Sequence, residues 1–86
     1  MTCFCYMLEC ADGTYYTGWT TDLDRRVKQH NKGVGAKYTS TRRPVKLVYV
    51  EPQPNRRDAM KRELAIKKMR RAQKSKLIMT RKDPED

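Results

Sequence analysis

The sequence lacks several features that would place it in other protein classes. It has no apolar stretch close to the ~20 residues that a membrane-spanning helix requires, which excludes a membrane span and gives no reason to expect a membrane partner. Its 86 residues leave room for one small domain and for no deep internal pocket. No basic segment follows Met1, so we expect no signal peptide.

Cysteine and histidine are scarce. Cys3, Cys5 and Cys10 leave one thiol unpaired in any disulfide scheme, which favours reduced thiols in a cytoplasmic protein. With His30, the single histidine, the cysteines have the ligand count of a zinc site. Their spacing does not match a zinc knuckle, and Cys10 is expected on the opposite strand face from the other two. Zinc is therefore disfavoured.

Basic residues are absent from the first 24 positions, although the chain holds 20 Lys and Arg against 10 Asp and Glu, a formal net charge of +10. Such a strong and uneven positive field favours a polyanionic partner, nucleic acid above all. An anionic membrane surface is the alternative, but it requires a basic helix with a bulkier apolar face. A soluble basic protein with a solvated charged face is the remaining interpretation.

Three segments rich in aromatic and β-compatible residues are predicted strands. They are residues 2–9, 15–19 and 45–50. Ala11–Thr14 is a turn signal between the first two strands, and Pro52 and Pro54 are expected to end the third. A two-residue turn would place Tyr6 and Tyr16 on opposite faces of the hairpin. A loop of odd length, with Gly13 in the left-handed conformation, would place both on one face.

Capping signals predict three helices. They are a helix from the Thr21–Asp24 capping box to about Asn31, a helix over 56–70 capped by Asn55 and Asp58, and a short helix over 72–78 with Leu77 and Ile78 facing inward. Residues 32–44 are predicted as a long polar loop. We therefore predict an α+β fold of order β-β-α-β-α-α, a three-stranded β-sheet with helices packed against it. A single domain over 1–79 would be followed by a flexible tail over 80–86.

Two polar side chains lie on apolar helix faces. Leu23, Val27 and His30 share one face of the first helix, which makes His30 either a partly buried helix-terminal histidine or a functional group. Glu63 lies between apolar residues on the second helix and is either the partner of Lys67 in an i, i+4 ion pair or a metal ligand or acid–base group.

The order of these residues resembles the GIY-YIG nuclease superfamily, best its small stand-alone bacterial members. Phe4-Cys5-Tyr6 keeps only the tyrosine of the first motif, whereas Tyr16-Thr17-Gly18 keeps the tyrosine and the glycine of the second. Arg26 and His30 lie where the family has its arginine and histidine, and Glu63 lies where it has its metal-binding glutamate. The asparagine found late in some family nucleases has no clear counterpart here.

The resemblance implies a divalent-metal-dependent endonuclease that hydrolyses phosphodiester bonds in DNA, in repair or recombination. One Mg²⁺ or Mn²⁺ ion would bind weakly at Glu63. Arg26 would neutralise charge on the phosphate, and His30 would either relay a proton or hold a tyrosine hydroxyl. Tyr6 is assigned as the general base, which requires a lowered pKa, and Tyr16 as the group that positions the phosphate. These two roles can be exchanged.

Further basic and aromatic residues are expected to bind nucleic acid, DNA rather than RNA. They are Lys37, Tyr38, Arg42 and Arg43 in the long loop, and Lys67 and Lys74 on the later helices. Gly13 and Gly18 are assigned to structural turns, and Trp19 to the core. Because 86 residues leave no room for the added DNA-binding domain of many family members, we expect either low sequence specificity or a protein partner for targeting.

Two alternatives to an autonomous enzyme remain open. The chain could be a non-catalytic nucleic-acid-binding module, or a nuclease subunit that needs a partner for specificity. Convergence of the five family positions on one open surface would favour chemistry, and their dispersal would favour binding alone.

Overall fold

The computed structural model describes residues 2–81, of which the backbone alone is described for Arg81. The elements in chain order are β1 (Cys3–Glu9), β2 (Tyr15–Thr20), α1 (Leu23–Lys32), α2 (Lys37–Ser40), β3 (Lys46–Gln53), α3 (Arg56–Lys67) and α4 (Arg71–Arg81). The strands form one antiparallel sheet in the order β2-β1-β3. The predicted α+β fold is confirmed, with α2 as an additional element.

The central strand β1 divides the core into two halves, because its side chains alternate between the two faces of the sheet. Cys3, Cys5 and Met7 pack with residues of α3 on one face. Tyr6 and Leu8 pack with residues of α1 on the other. Leu77 and Ile78 of α4 pack against the α3 side, as predicted. The sheet is therefore covered by α1 on one face and by α3 and α4 on the other.

The hairpin between β1 and β2 places both family tyrosines on the α1 face. Leu8 lies opposite Tyr16 and Tyr6 lies opposite Gly18, so five residues, 10–14, form the loop. Gly13 has φ +85°, the left-handed conformation in which glycine pays no steric cost. The loop of odd length is the arrangement that the shared face required.

Strand β3 is longer than predicted. It continues through Pro52, which pairs with Phe4, and ends at Gln53. The expectation that Pro52 ends the strand is wrong, because β3 is an edge strand. Proline has no backbone N–H to donate, and an edge strand tolerates it where that position faces solvent.

The helices differ from the prediction in several respects. Asp22 rather than Thr21 caps α1, its Oδ1 accepting from the backbone N–H of Arg25 at 3.2 Å. The predicted polar loop contains α2, a single helical turn that is anchored by the buried Thr39. Helix α3 ends at Lys67, because the chain turns there and Gln73 accepts from the backbone N–H of Arg70 at the start of α4.

The Asn55 cap of α3 is confirmed, since its Oδ1 accepts from the backbone N–H of Asp58 at 2.8 Å. Helix α4 continues through Arg81, past the expected start of the tail at residue 80. Residues 82–86 of that tail lie outside the described residues. Within the described part of the chain, no helix is both long and apolar enough to span a bilayer.

Gly18 is a strand residue, and its assignment to a turn is wrong. It lies in β2 opposite Tyr6, whose phenol end occupies the space above it. A Cβ atom at Gly18 would lie 2.6 Å from the Tyr6 hydroxyl oxygen and 2.8 Å from its Cζ. Glycine is therefore required here by close packing, which lets the Tyr6 side chain reach across β2.

We predict that Gly18→Ala lowers the free energy of unfolding by ~1–3 kcal/mol, the usual cost of overpacking a core. Tyr6 cannot yield freely, because it is 1% exposed and its hydroxyl is hydrogen-bonded. Urea unfolding monitored by circular dichroism measures the change, with Thr20→Ala on the same strand as the control. Equal midpoints for Gly18→Ala and the wild type would contradict this packing.

Candidate active site

The hydroxyl of Tyr6 and the ring of His30 form the centre of the site. His30, on the last turn of α1, is fully buried, and its Nε2 lies 3.0 Å from the Tyr6 hydroxyl oxygen. The Tyr16 ring lies 5.1 Å from the His30 ring, centroid to centroid. β1, β2 and α1 therefore bring three of the five family positions into direct contact.

Hydrogen bonds around His30 fix its tautomer. Thr39 donates its hydroxyl hydrogen to the carbonyl oxygen of Ala36, so Thr39 Oγ1 accepts from His30 Nδ1 at 2.8 Å. With its hydrogen on Nδ1, the neutral imidazole has a lone pair on Nε2 and accepts from Tyr6. The result is a continuous chain of hydrogen bonds from the Tyr6 phenol through His30 to the backbone of α2.

The charge state of His30 follows from its surroundings. Burial, together with the neighbouring positive charge of Arg26, lowers the pKa of His30 from 6.5 to about 4. The imidazole is therefore neutral at physiological pH, and a negative charge that enters the site would favour its protonation. The alternative of a partly buried histidine that only faces the helix dipole does not describe this environment.

Arg26 is oriented by three acceptors. Its Nε donates to the Tyr6 hydroxyl oxygen at 3.4 Å, and its terminal nitrogens donate to Gln29 Oε1 at 3.1 Å and to the Gly35 carbonyl oxygen at 3.2 Å. A guanidinium has five N–H groups, so one N–H on each terminal nitrogen is left for a ligand. This arrangement suits two oxygens of one phosphate.

The general base assigned from the sequence does not have a lowered pKa. Burial raises the pKa of Tyr6, and the hydrogen bond from Arg26 opposes that rise only in part. The negative charges of Tyr16 and Glu63 add smaller contributions to the rise. The condition for Tyr6 as a base is not met in this state of the protein.

Tyr16 faces a cleft of about 280 Å³ at one end of the β2 edge, here called the Tyr16 cleft. Its lining residues are Tyr15, Tyr16, Thr17, Tyr38, Lys67 and Lys74. Four of the residues predicted for the catalytic site and for nucleic-acid binding therefore meet here: Tyr16, Tyr38, Lys67 and Lys74. The Oγ1 of Thr17 is buried and has no hydrogen-bond partner within residues 2–81.

Glu63 approaches the site from α3. Its side chain is 18% exposed and its carboxylate oxygen lies 3.3 Å from Lys67 Nζ, so the i, i+4 pair predicted as one alternative is formed. The described residues contain no group of three or more His, Cys, Asp or Glu side chains that could hold a metal ion. One half-buried carboxylate fits a weakly held Mg²⁺ or Mn²⁺ ion that keeps most of its waters.

The arginines of the predicted nucleic-acid loop hold the loop itself. Arg42 Nε lies 3.0 Å from Asp12 Oδ2, its guanidinium lies 4.0 Å from the centroid of the Tyr38 ring, and that ring stacks on Tyr16. Arg43 donates to the carbonyl oxygens of Ser40 and Asn31. These contacts hold the loop in the position in which the Tyr38 ring stacks on Tyr16. Lys37, at the start of α2, is exposed.

Sequence reasoning missed the residues that orient Arg26 and His30. Gln29 lies three residues after Arg26 on a helix, a spacing that could have identified the pair. Thr39 and the backbone at Gly35 give no such signal, because a loop residue in contact with His30 is recognisable only after folding. A Cβ atom at Gly35 would lie 2.6 Å from His30 Nδ1, so this glycine is required by the close approach of the loop.

Comparison with known proteins identifies the class. A family model described as the GIY-YIG catalytic domain matches residues 2–76. The chain therefore belongs to the GIY-YIG family, a family of nuclease catalytic domains, as the resemblance of its motifs indicated.

Within that family the chain is similar to UPF0213 proteins. One from Clostridium perfringens is 51% identical over 83 residues, covering 96% of this chain and 89% of the relative. One from Halobacterium salinarum is 56% identical over 73 residues, covering 85% and 95% respectively. The solution NMR structure of the UPF0213 protein from Bacillus halodurans is 44% identical, with a TM-score of 0.63 and coverage of 98% and 89%. These names state no activity.

We predict that the single imidazole of the protein stays neutral, with its hydrogen on Nδ1, as the pH falls from 8 to about 5. Since the folded pKa of about 4 lies below the ordinary 6.5, the unfolded chain gains the proton first. The contribution of neutral His30 to the free energy of unfolding is therefore complete above pH ~6.5. It is lost as the pH falls from ~6.5 to 4, and the total loss is up to ~3 kcal/mol. ¹⁵N NMR of the ring reports the tautomer, and urea unfolding against pH reports the loss. An imidazole that titrates near pH 6.5 would contradict the environment described.

Proposed function

We propose that this protein is a divalent-metal-dependent endonuclease that cleaves phosphodiester bonds in DNA. The supporting observation is that Tyr6, Tyr16, Arg26 and His30 contact one another at the β2 edge, within the electrostatic reach of Glu63. Tyr6 and His30 are buried within this cluster rather than on an open surface, and Tyr16 and Arg26 reach the clefts beside it. Because a binding module would not need a buried tyrosine–histidine pair beside an oriented arginine, this contact of four family positions favours chemistry over binding alone. A place in repair or recombination belongs to the same proposal.

The scissile phosphate is assigned to the two free N–H groups of Arg26. Three acceptors already orient this guanidinium, so it is aligned before substrate binds and stabilises the charge that develops on the phosphate oxygens. Lys67 and Lys74 line the adjoining Tyr16 cleft and would bind the backbone phosphates of the same strand.

The roles of the two tyrosines are exchanged relative to the assignment from sequence. Tyr16 is half-buried, and its hydroxyl has no hydrogen-bond partner within residues 2–81, so it is free to contact the attacking water. The Tyr6 hydroxyl holds Arg26 and donates to His30, which keeps both groups in place. When the phosphate brings negative charge beside Arg26, His30 becomes able to take up the proton that leaves the site.

Glu63 is the residue that would hold Mg²⁺ or Mn²⁺, with waters and phosphate oxygens as the other ligands. Once bound, the ion would act as a Lewis acid on the scissile phosphate. Lys67 neutralises the Glu63 carboxylate in the free protein, at an N–O distance of 3.3 Å. We propose that substrate draws Lys67 to a phosphate and frees the carboxylate.

We expect Glu63→Gln to abolish metal-dependent cleavage, by about 10²-fold or more, while DNA binding persists, because the amide keeps the shape and removes the charged ligand. Cleavage of branched, duplex and single-stranded DNA and RNA is measured with Mg²⁺, with Mn²⁺ and with chelator. Asp58→Asn, a carboxylate-to-amide change on the same helix, is the control. Cutting at the wild-type rate by Glu63→Gln would overturn the assignment. No cutting by the wild type, with salt-sensitive binding retained, would favour a binding module or a subunit that awaits its partner.

The tyrosine roles are separated by Tyr16→Phe and Tyr6→Phe, compared in the pH dependence of the single-turnover cleavage rate. If Tyr16 activates the water, its phenylalanine variant loses at least about 10²-fold in rate, together with the rise of the rate with pH that a general base causes as it loses its proton. Tyr6→Phe would keep the shape of the profile and lower the rate at every pH, because it removes an orienting contact. The opposite pair of results would restore the assignment of Tyr6 as the base.

A further inference from the structure

A second cleft, of about 350 Å³, opens at the other end of the β2 edge and is here called the Trp19 cleft. The side chains that matter for its chemistry are Trp19, Asp22, Arg25, Arg26, Gln29 and Arg56. Its volume is at the lower end of the ~300–1,000 Å³ that is usual for small-ligand sites. Because Arg26 also belongs to the catalytic cluster, the two sites are continuous.

Charge in the Trp19 cleft is strongly one-sided. Arg25 and Arg26 come from α1, and Arg56 comes from the first turn of α3. Asp22 is the one acidic residue of the lining, and its carboxylate is engaged as the N-cap of α1. Within residues 2–81 neither Arg25 nor Arg56 is in an ion pair, so both guanidinium groups are available to an anion.

Trp19 supplies a large aromatic surface to the same cleft. It lies opposite Cys5 in the sheet, is partly buried and packs against the core on the α3 side, which holds the indole in place. The guanidinium carbon of Arg56 lies 5.7 Å from the centroid of the ring, a long separation for a cation–π contact. A rigid aromatic ring beside arginines is the arrangement with which proteins bind an exposed base and its phosphate.

The two clefts lie at the two ends of β2. Helix α3 runs beside this strand, so that Arg56 at its start lies by Trp19 and Lys67 at its end lies by Tyr16. Gly18, with the Tyr6 hydroxyl above it, lies between the two ends. A nucleic-acid strand that lies along β2 from the Tyr16 cleft and passes Arg26 would therefore reach the Trp19 cleft.

We propose that the Trp19 cleft binds the nucleotide adjacent to the scissile phosphate, with its base on Trp19 and its phosphate on Arg25 and Arg56. This inference rests on the proposed function and deepens it. A base inside an intact duplex offers no free face to an indole. The cleft therefore selects DNA in which the nucleotide beside the cleavage point is unpaired.

Because Trp19 is the single tryptophan of the protein, its fluorescence reports directly on the cleft. Titrations with a single-stranded oligonucleotide and with the blunt duplex of the same sequence are made in chelator, so that no cleavage occurs. We expect the single strand to quench the indole and the duplex to leave it unchanged. Binding of a labelled single strand without quenching would overturn the proposal, and so would equal quenching by both ligands.

Arg56→Ala and Arg57→Ala form a matched pair, since each removes one exposed arginine from the first turn of α3 and Arg56 alone lines the cleft. We expect Arg56→Ala to weaken binding of the single strand about five-fold and to lower the salt slope by about one. Arg57→Ala should weaken it less than about two-fold, because its charge is remote and screened. Equal losses of affinity in the two variants would show that binding depends on the overall positive charge, and would overturn the proposed role of the Trp19 cleft.

Trp19→Ala and Trp19→Phe are compared by the anisotropy of the labelled strand. Stacking predicts a loss of about five-fold or more for alanine and substantial rescue by phenylalanine, which also keeps the apolar packing on the core. Affinity unchanged by both substitutions would overturn the proposal. If the single strand quenches Trp19 but no substrate is cleaved, the proposed nuclease activity alone is contradicted. If DNA is cleaved but Trp19 fluorescence does not change on binding, the proposed role of the Trp19 cleft alone is contradicted.

Discussion

The phenol of Tyr6 reaches across β2 above Gly18 and ends between Arg26 and His30. This one side chain links β1, β2 and α1, and the lack of a Cβ atom at Gly18 is what permits it. Its hydroxyl donates to His30 and accepts from Arg26, which fixes an imidazole tautomer and the direction of a guanidinium together. Arg26 and His30 thus take positions that neither helix α1 nor the sheet could enforce separately.

Burial gives this cluster its chemical character. In water a histidine titrates near neutrality, but beside Arg26 in the core the pKa of His30 is about 4 and the ring is neutral. Among the described residues, this cluster has a fixed positive charge on Arg26, and the nearby Glu63 carboxylate is paired with Lys67. Clefts with basic side chains lie at both ends of β2, and such surroundings favour an anion.

Much of the fold was predictable because its signals are local. The aromatic and β-compatible residues of 2–9, the Asn55 cap and the apolar face of α1 are each signals within a few neighbouring residues. The failures arose where a distant partner decides. Pro52 is tolerated because β3 lies at the sheet edge, α2 forms because Thr39 is buried against His30, and Gly18 is required by Tyr6 across the ladder.

The sequence by itself determined the residue types of the site, their order on strands and helices, and the excess of positive charge, since all of these are properties of the chain. Only the tertiary structure decided that Tyr6 is buried with a raised pKa while Tyr16 faces a cleft, and that Arg42 and Arg43 hold a loop. It also decided that Trp19 both packs on the core and lines a cleft. The physical reason is that burial, electrostatic environment and the choice of hydrogen-bond partner depend on groups far away in the chain.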